Sequence, residues 1–125
     1  MKANELRIGN LVNCQGKICK VKALFFLDMS TNYGTYGYSF TEPIPLSEEI
    51  LLKCGFVKAT DKYRGYLSPS FRNGQAIRVK TTNSGNFIYQ LNHEGYPLYL
   101  ESLHQLQNLF HSLSGGQELN TPGLI

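Results

Sequence analysis

The sequence lacks the short motifs by which common enzyme classes are recognised. It has no phosphate-binding P-loop, no G-x-S-x-G nucleophile elbow and no H-E-x-x-H zinc motif. Its two aspartates, Asp28 and Asp61, are far apart in sequence and so give no close pair for Mg²⁺. Residues gathered only in the folded chain would escape this search, and a small nuclease built from scattered residues is the weaker alternative. We expect a protein that is not an enzyme and has no catalytic residues.

Cysteine is scarce, and its spacing is wrong for a metal or a disulfide framework. Cys14, Cys19 and Cys54 are odd in number and contain no C-x-x-C pair. Cys54 has no histidine near it in sequence, which argues against a cysteine nucleophile. We therefore expect reduced thiols, no metal site, no cofactor and no small-molecule substrate.

Long apolar runs are also missing. No segment approaches the roughly 18 residues needed to span a bilayer, and the N-terminal MKANELRIGN does not resemble a signal peptide. We expect a cytoplasmic protein without a membrane partner. The 125 residues fit one domain, predicted over 1–116, with a flexible tail over 117–125.

The net charge of +3 is modest, but its distribution is uneven. Residues 1–41 carry +3 and residues 63–92 carry +4, whereas residues 42–62 carry −1 and residues 93–125 carry −3. Basic segments thus alternate with acidic ones. The two basic segments are the candidates for contact with an anionic partner.

The segment LVNCQGKICKVKALFF (11–26) predicts a hairpin around Gln15-Gly16. Pairing around this turn gives one face with Val12, Cys14, Lys17, Cys19 and Val21, and another with Leu11, Ile18, Lys20, Lys22 and Leu24. Neither face is purely apolar, which favours a curved sheet or partial barrel covered in part on both sides.

The next segment, STNYGTYGYSF (30–40), alternates aromatic and small residues. If it is extended, Tyr36, Tyr38 and Phe40 share one face, although two glycines favour a loop that ends in a strand. These aromatic rings either stack on nucleic-acid bases beside the basic hairpin or cover the core.

The segment EPIPLSEEILLKCGF (42–56) predicts a short helix over 48–54. Ser47 is a preferred N-cap, and Leu46 and Leu51 have the spacing of a hydrophobic staple. Gly55 suits the left-handed position that follows a helix.

From Tyr63 to Leu100 the sequence alternates and turns, at Asn73-Gly74 and at Asn83-Ser84-Gly85, which predicts an antiparallel meander. Ile77 and Val79 would face one side and Arg78 and Lys80 the other. Together with Arg64 and Arg72, Arg78 and Lys80 would form a basic face. This face either contacts phosphates or an acidic protein patch, or it is a solvated face without a partner.

The stretch LHQLQNLFHSLSGG predicts a C-terminal helix over 103–114, with Ser102 and Gln105 as a capping box. Leu103, Leu106, Phe110 and Leu113 form an apolar arc, and His104, Asn108 and His111 point the opposite way. The two histidines stand about 10 Å apart along the axis, too far to share one metal ion. The fold class expected is α+β: a curved antiparallel sheet, a short middle helix and a C-terminal helix packed on the sheet.

Three blocks, ELRIGNLV (5–12), PIPLSEEILLKCGF (43–56) and LHQLQNLFHSLSGGQEL (103–119), together resemble a family of small proteins encoded by phages and mobile elements of Bacteroidetes-type bacteria. The resemblance covers about a third of the chain, and the tyrosine–glycine segment and basic hairpins between the blocks depart from it. It implies an anti-CRISPR that acts on a type VI RNA-guided RNA nuclease.

Two binding hypotheses follow. In the first, the protein binds a host RNA-guided nuclease or its guide RNA, and the expected contact residues are Lys20, Lys22, Tyr36, Tyr38, Arg64, Arg78 and Lys80. In the second, it is a protein–protein adaptor or structural module without nucleic-acid contact, and its interface is the helical surface of His104, Gln107, Asn108 and His111.

Overall fold

A computed structural model of the chain describes residues 1–60, 65–70, 76–81, 87–90, 98–122 and 124, with the backbone alone at 88–90 and 98. The predicted turns at residues 73–74 and 83–85 lie outside the described residues, as do Arg64 and Arg72. Within the described part the fold is α+β, as expected, with two antiparallel sheets and two α-helices.

The first sheet is a curled half-barrel of five strands in the order β4-β3-β2-β1-β5. The strands are β1 (Leu11–Cys14), β2 (Lys17–Leu24), β3 (Asp28–Thr31), β4 (Gly34–Gly37) and β5 (Thr41–Glu42). A 3-10 turn over Tyr38–Phe40 joins β4 to β5, although these strands lie at opposite edges of the sheet. So short a link between opposite edges requires a strongly curved sheet, which confirms the predicted curvature.

The hairpin of β1 and β2 confirms the predicted turn. Gln15 and Gly16 both have positive φ, at 52° and 87°, which fits a tight turn whose twist matches that of the flanking strands. Cys14 pairs with Lys17 across the turn, and Val12 pairs with Cys19. Both faces of the hairpin are partly covered because Val12 belongs to one apolar core and Leu11 to another.

The predicted face of Leu24 was wrong. Val21 pairs with Thr31 but Ala23 pairs with Ser30, so a bulge inserts one residue between them. A single extra residue reverses the face of every side chain beyond it. Leu24 therefore pairs with Met29 and packs on the same core as Val21.

Residues 30–40 form a hairpin followed by a 3-10 turn, so the predicted loop and the shared aromatic face were wrong. The β3–β4 turn lies at Asn32-Tyr33, and the extended backbone ends at Gly37. The 3-10 turn rotates the following residues out of alternation, which leaves Tyr38 9% exposed and Phe40 61% exposed.

The middle helix α1 (Glu48–Lys53) confirms the capping signals to within one residue. Ser47 Oγ accepts a hydrogen bond from the Ile50 N–H at 3.2 Å. At the other end, Gly55 has a φ of +86°, and the Phe56 N–H donates to the Leu51 carbonyl at 3.0 Å. This Schellman arrangement turns Phe56 back into the core.

The second sheet confirms the predicted meander. Its strands are β6 (Val57–Lys58), β7 (Tyr66–Leu67), β8 (Arg78–Thr81), β9 (Phe87–Gln90) and β10 (Leu98–Leu100), and they lie in sequence order. Val79 pairs with Tyr66 on one side and with Tyr89 on the other, so β8 is the central strand.

Helix α2 (Leu103–Leu113) packs on these elements through the predicted apolar arc. Leu103, Leu106 and Phe110 are at most 4% exposed. They belong to a main core that also contains residues of β1, α1 and the second sheet. A smaller second core lies inside the first sheet, around Val12, Val21 and Met29. Neither described helix is long and apolar enough to cross a membrane.

Glu118 and Leu119, near the start of the segment predicted as a flexible tail, contact the rest of the domain. The Arg7 guanidinium donates to both carboxylate oxygens of Glu118, at 2.6 and 3.0 Å. Leu119 is 4% exposed and belongs to the main core. These contacts hold residues 118–119 against the N-terminal segment and the main core.

Candidate nucleic-acid interface

The polar side of α2, predicted as an exposed partner interface, is mostly an internal contact. Gln107 is 2% exposed and lies against the N-terminal segment. Its Oε1 accepts from the Leu11 N–H at 2.8 Å, and its Nε2 donates to the Gly9 carbonyl at 3.2 Å. The side chain therefore satisfies two backbone groups that would otherwise lose their partners on burial.

Asn108 continues this contact by one residue. Its Oδ1 accepts from Asn10 Nδ2 at 2.8 Å and from Arg7 Nε at 3.3 Å, and its Nδ2 donates to the Glu5 carbonyl at 3.2 Å. Three hydrogen bonds within the chain occupy the amide, so it is poorly placed to recognise a partner.

His104 was wrongly expected to face solvent, since its side chain is 3% exposed. Its Nδ1 shares a hydrogen bond with Ser102 Oγ at 3.0 Å, and its Nε2 lies 4.0 Å from a Glu5 carboxylate oxygen. Burial lowers the pKa of His104, and the Glu5 charge opposes this shift only in part. His111, about two turns further along the helix, is half-buried.

Helical periodicity with a single covered side places His104, Asn108 and His111 toward solvent. Helix α2 is covered on two sides, by the main core and by residues 5–11. Polar residues are used on the second side because it faces backbone groups that need partners.

The three sequence blocks that carry the family resemblance meet at this helix. The Leu103 N–H donates to the Ile44 carbonyl at 2.8 Å, and the Leu46 N–H donates to the Glu101 carbonyl at 3.2 Å. Residues 5–11 bind the other side of α2, as described above. We call this unit, residues 5–12, 43–56 and 103–119, the scaffold.

The predicted basic face of the second sheet is not an open row of cations. Arg78 is 8% exposed, contrary to expectation, and it already interacts with another group of the protein. Lys80 is half-buried and likewise engaged. Arg78 lies on the central strand of the sheet, where both faces are more easily covered than at an edge.

The predicted basic residues of the first sheet are exposed. Lys20 and Lys22 alternate with buried Cys19 and Val21, so they share the face away from the second core. Residues 6–41 contain four cations and one acid, Asp28. One of these cations, Arg7, is paired with Glu118 and lowers the pKa of that carboxyl group.

A further lysine and a tyrosine lie at the start of the same strand, on the opposite face to Lys20 and Lys22. Lys17 Nζ lies 5.2 Å from the centre of the Tyr33 ring, within cation–π range. The Lys20 N–H donates to Asn32 Oδ1 at 2.9 Å, and the Asn32 N–H donates to the Lys20 carbonyl at 3.3 Å. These two hydrogen bonds hold the β3–β4 turn beside β2. We call Lys17, Lys20, Lys22 and Tyr33, which lie along β2 on both of its faces, the β2 basic surface.

Tyr36 and Tyr38, the expected stacking residues, cover the second core instead. Tyr38 is buried, and its hydroxyl donates to the Phe25 carbonyl. Tyr36 is half-buried against the same core. Tyr33, 57% exposed, is the exposed ring next to a β2 lysine, and its position in the turn after Asn32 was the missed signal.

A group of apolar side chains is exposed at the far end of β2. Phe25, Phe26 and Leu27 are 56%, 92% and 75% exposed, and Phe40 is 61% exposed. A Cβ built on Gly37 would lie 3.5 Å from the Phe40 ring and 4.0 Å from the Leu27 carbonyl oxygen, which shows that the two segments adjoin. We call these four residues the apolar tip.

The thiols and acids offer little chemistry in the part of the chain that the structure describes. All three cysteines are buried and unpaired, and burial raises the pKa of Cys14 and of Cys54 to about 11. Thiols of that kind stay protonated and weakly nucleophilic at neutral pH. No group of three histidine, cysteine, aspartate or glutamate residues is placed to hold a metal ion in the described residues.

Comparison of the chain with protein-family models, with curated proteins and with solved structures finds no match. The resemblance described for the three blocks therefore stays a prediction.

Proposed function

We propose that this chain is a non-enzymatic protein that binds single-stranded RNA through its β2 basic surface. The observation that carries the proposal is the position of Lys17 over the exposed Tyr33 ring, with the exposed Lys20 and Lys22 on the other face of the same strand. Single-strand binders combine these two features, because cations attract the backbone and an aromatic ring accepts any base.

The charges around the surface support an anionic partner. Asp28 is the only acid in residues 6–41, and it is half-buried. Glu118 lies near Lys20, but its carboxylate is already paired with Arg7. Lysines on a strand with so few acids nearby create a positive potential that attracts phosphate and speeds association. A guanidinium fork for reading base edges is missing from the β2 basic surface, so we expect binding with little sequence preference.

The resemblance of the scaffold blocks supports a more specific target. It favours the guide RNA of a type VI RNA-guided nuclease, and hence inhibition of that nuclease. In this proposal the scaffold holds the fold, and the segment between the blocks, which departs from the family, makes the contact. The proposal assigns no bond-breaking chemistry to the protein.

The test is RNA affinity measured by fluorescence anisotropy over a series of salt concentrations. The variant replaces Lys17, Lys20 and Lys22 by glutamine. The matched control replaces Lys2, Lys53 and Lys58 by glutamine. These lysines are also exposed, and their replacement removes the same charge. Because each phosphate contact releases condensed counterions, we expect the triple variant to lower the slope of log K against log salt by up to about 0.7 per contact.

Tyr33→Ala separates stacking from charge. We expect it to weaken binding by about 1–3 kcal/mol per stacked base while leaving the salt slope unchanged. Equal losses in the lysine variant and its control would contradict a localised surface. An absence of RNA binding by the unaltered protein would favour the adaptor hypothesis.

The nuclease is a separate arm of the test. A type VI nuclease loaded with its guide RNA should lose activity in the presence of the protein and regain it when the triple lysine variant is used. Inhibition that survives the lysine substitutions would place the contact on protein and contradict the RNA-contact model.

A further inference from the structure

The apolar tip is a contiguous group of exposed apolar side chains. Phe25, Phe26 and Leu27 are three consecutive large apolar residues that are all more than half exposed. Single exposed apolar residues are ordinary, but a contiguous patch marks a surface that meets something else. The β2 basic surface does not use these side chains.

The tip is held in position by hydrogen bonds from its own backbone. The Phe25 N–H donates to the Asp28 carbonyl at 2.9 Å, and the Phe25 carbonyl accepts from the Tyr38 hydroxyl. These bonds fix both ends of the short loop, so its side chains are presented on an ordered support. Such preorganisation reduces the entropy lost on binding.

We propose that the apolar tip is the contact through which this chain associates with a second copy of itself. The exposed parts of the four side chains amount to about 500 Å² per copy, judged from the size of aromatic side chains. A standard interface buries about 800 Å² per partner, and weak complexes bury less. The tip is thus large enough for a reversible, weak dimer.

Charge favours a second copy as the occupant. The chain carries a net charge of +3, so two copies repel each other at most approaches. The tip residues are uncharged, the adjoining Asp28 is half-buried, and residues 29–41 contain no charged side chain. A two-fold contact places the same patch on both sides, and an uncharged patch meets its copy without like-charge repulsion.

The two surfaces do not compete. Lys20 and Phe25 are about 16 Å apart along the chain at the rise of an extended strand, and Lys22, the nearest member of the β2 basic surface, is about 10 Å from Phe25. A dimer joined at its tips would leave Lys17, Lys20 and Tyr33 of both copies open. The dimer is measured without RNA, so its failure and the failure of the proposed function are distinguishable.

The experiment is sedimentation velocity of the full chain from about 5 to about 300 µM, a range that brackets weak association. The variant is Phe26→Asp, at the most exposed residue of the tip, and the control is Val57→Asp, at a 60% exposed apolar residue on β6. We expect the unaltered protein and the control to move from 14.1 kDa toward twice that mass as concentration rises. Phe26→Asp should remain monomeric with an unchanged circular dichroism spectrum.

Three results would overturn the proposal. The first is a monomer at every concentration, and the second is loss of the dimer in Val57→Asp as well. A monomer that sediments with vesicles of phosphatidylcholine and phosphatidylglycerol, and loses this property in Phe26→Asp, would also overturn it and assign the tip to a membrane.

Discussion

The scaffold around α2 and the region of β2–β4 use polar and basic residues in opposite ways. In the scaffold, Gln107 and Asn108 bond to backbone or to other side chains, and the half-buried Arg7 pairs with Glu118. In the β2–β4 region, Lys20, Lys22 and Tyr33 point outward, and buried apolar residues alternate with them. In the proposed function, the scaffold provides stability and the β2–β4 region provides recognition.

Two strands with similar patterns show the contrast most clearly. Strand β2 reads KICKVK and strand β8 is preceded by Ile77 and reads RVKT, so both alternate cations with apolar residues. The lysines of β2 are exposed, but Arg78 of β8 is buried. Alternation assigns residues to faces, whereas the packing of other elements decides which faces are covered.

The largest effect is expected from truncating the core of the scaffold. Phe110→Ala removes a buried aromatic ring and should lower the free energy of unfolding by about 3–5 kcal/mol. The matched change in the other region, Phe26→Ala, should alter it by less than about 0.5 kcal/mol because that ring is exposed. Urea unfolding at low protein concentration measures both. A loss below about 1 kcal/mol for Phe110→Ala would contradict the assigned core.

The next effect compares the two basic strands directly. Arg78→Ala should cost about 2–3 kcal/mol of unfolding free energy, because it removes a buried charged side chain that interacts with another group. Lys22→Ala should change stability by no more than about 0.5 kcal/mol, because the side chain is exposed. Equal costs in the two variants would remove the distinction between a structural and a recognition strand.

A smaller effect is expected where α2 meets the N-terminal segment. Gln107→Ala leaves the Leu11 N–H and the Gly9 carbonyl without these partners and should cost about 1–2 kcal/mol. Gln117→Ala, at an exposed glutamine after the same helix, is the control. Unchanged stability in Gln107→Ala would show that water replaces the amide and that this side of the helix is open.

The smallest effect concerns pH. Burial lowers the pKa of His104 below its ordinary value of 6.5, so the unfolded chain binds a proton more readily than the folded chain. Stability should therefore fall as the pH drops below 6.5. The pKa of Glu118 is lowered from 4.5, and its contribution is lost only below that value. Measurements between about pH 5 and pH 7.5 thus isolate the histidine.

The comparison for this prediction is His104→Gln, which should flatten the pH dependence, with His111→Gln on the same helix as the control. A pH dependence that remains in His104→Gln and disappears in His111→Gln would show that His111, and not His104, causes it.

Local signals in the sequence determined much of this protein's secondary structure. Ser47 and Gly55 mark the ends of α1, and Gln15-Gly16 marks the first hairpin, because capping and turn geometry depend on a few adjacent residues. The apolar arc of α2 was also readable, since helical periodicity is local. The exposed lysines of β2 follow from the same kind of local alternation.

Tertiary structure decided which polar residues are available for recognition. His104 and Gln107 are buried because residues 5–11, about a hundred positions away in sequence, pack on α2. Arg78 is buried on the central strand of a sheet, the bulge after Val21 turns Leu24 inward, and the β3–β4 turn brings Tyr33 to Lys17. Each outcome depends on contacts between distant segments, and local periodicity carries no information about such contacts.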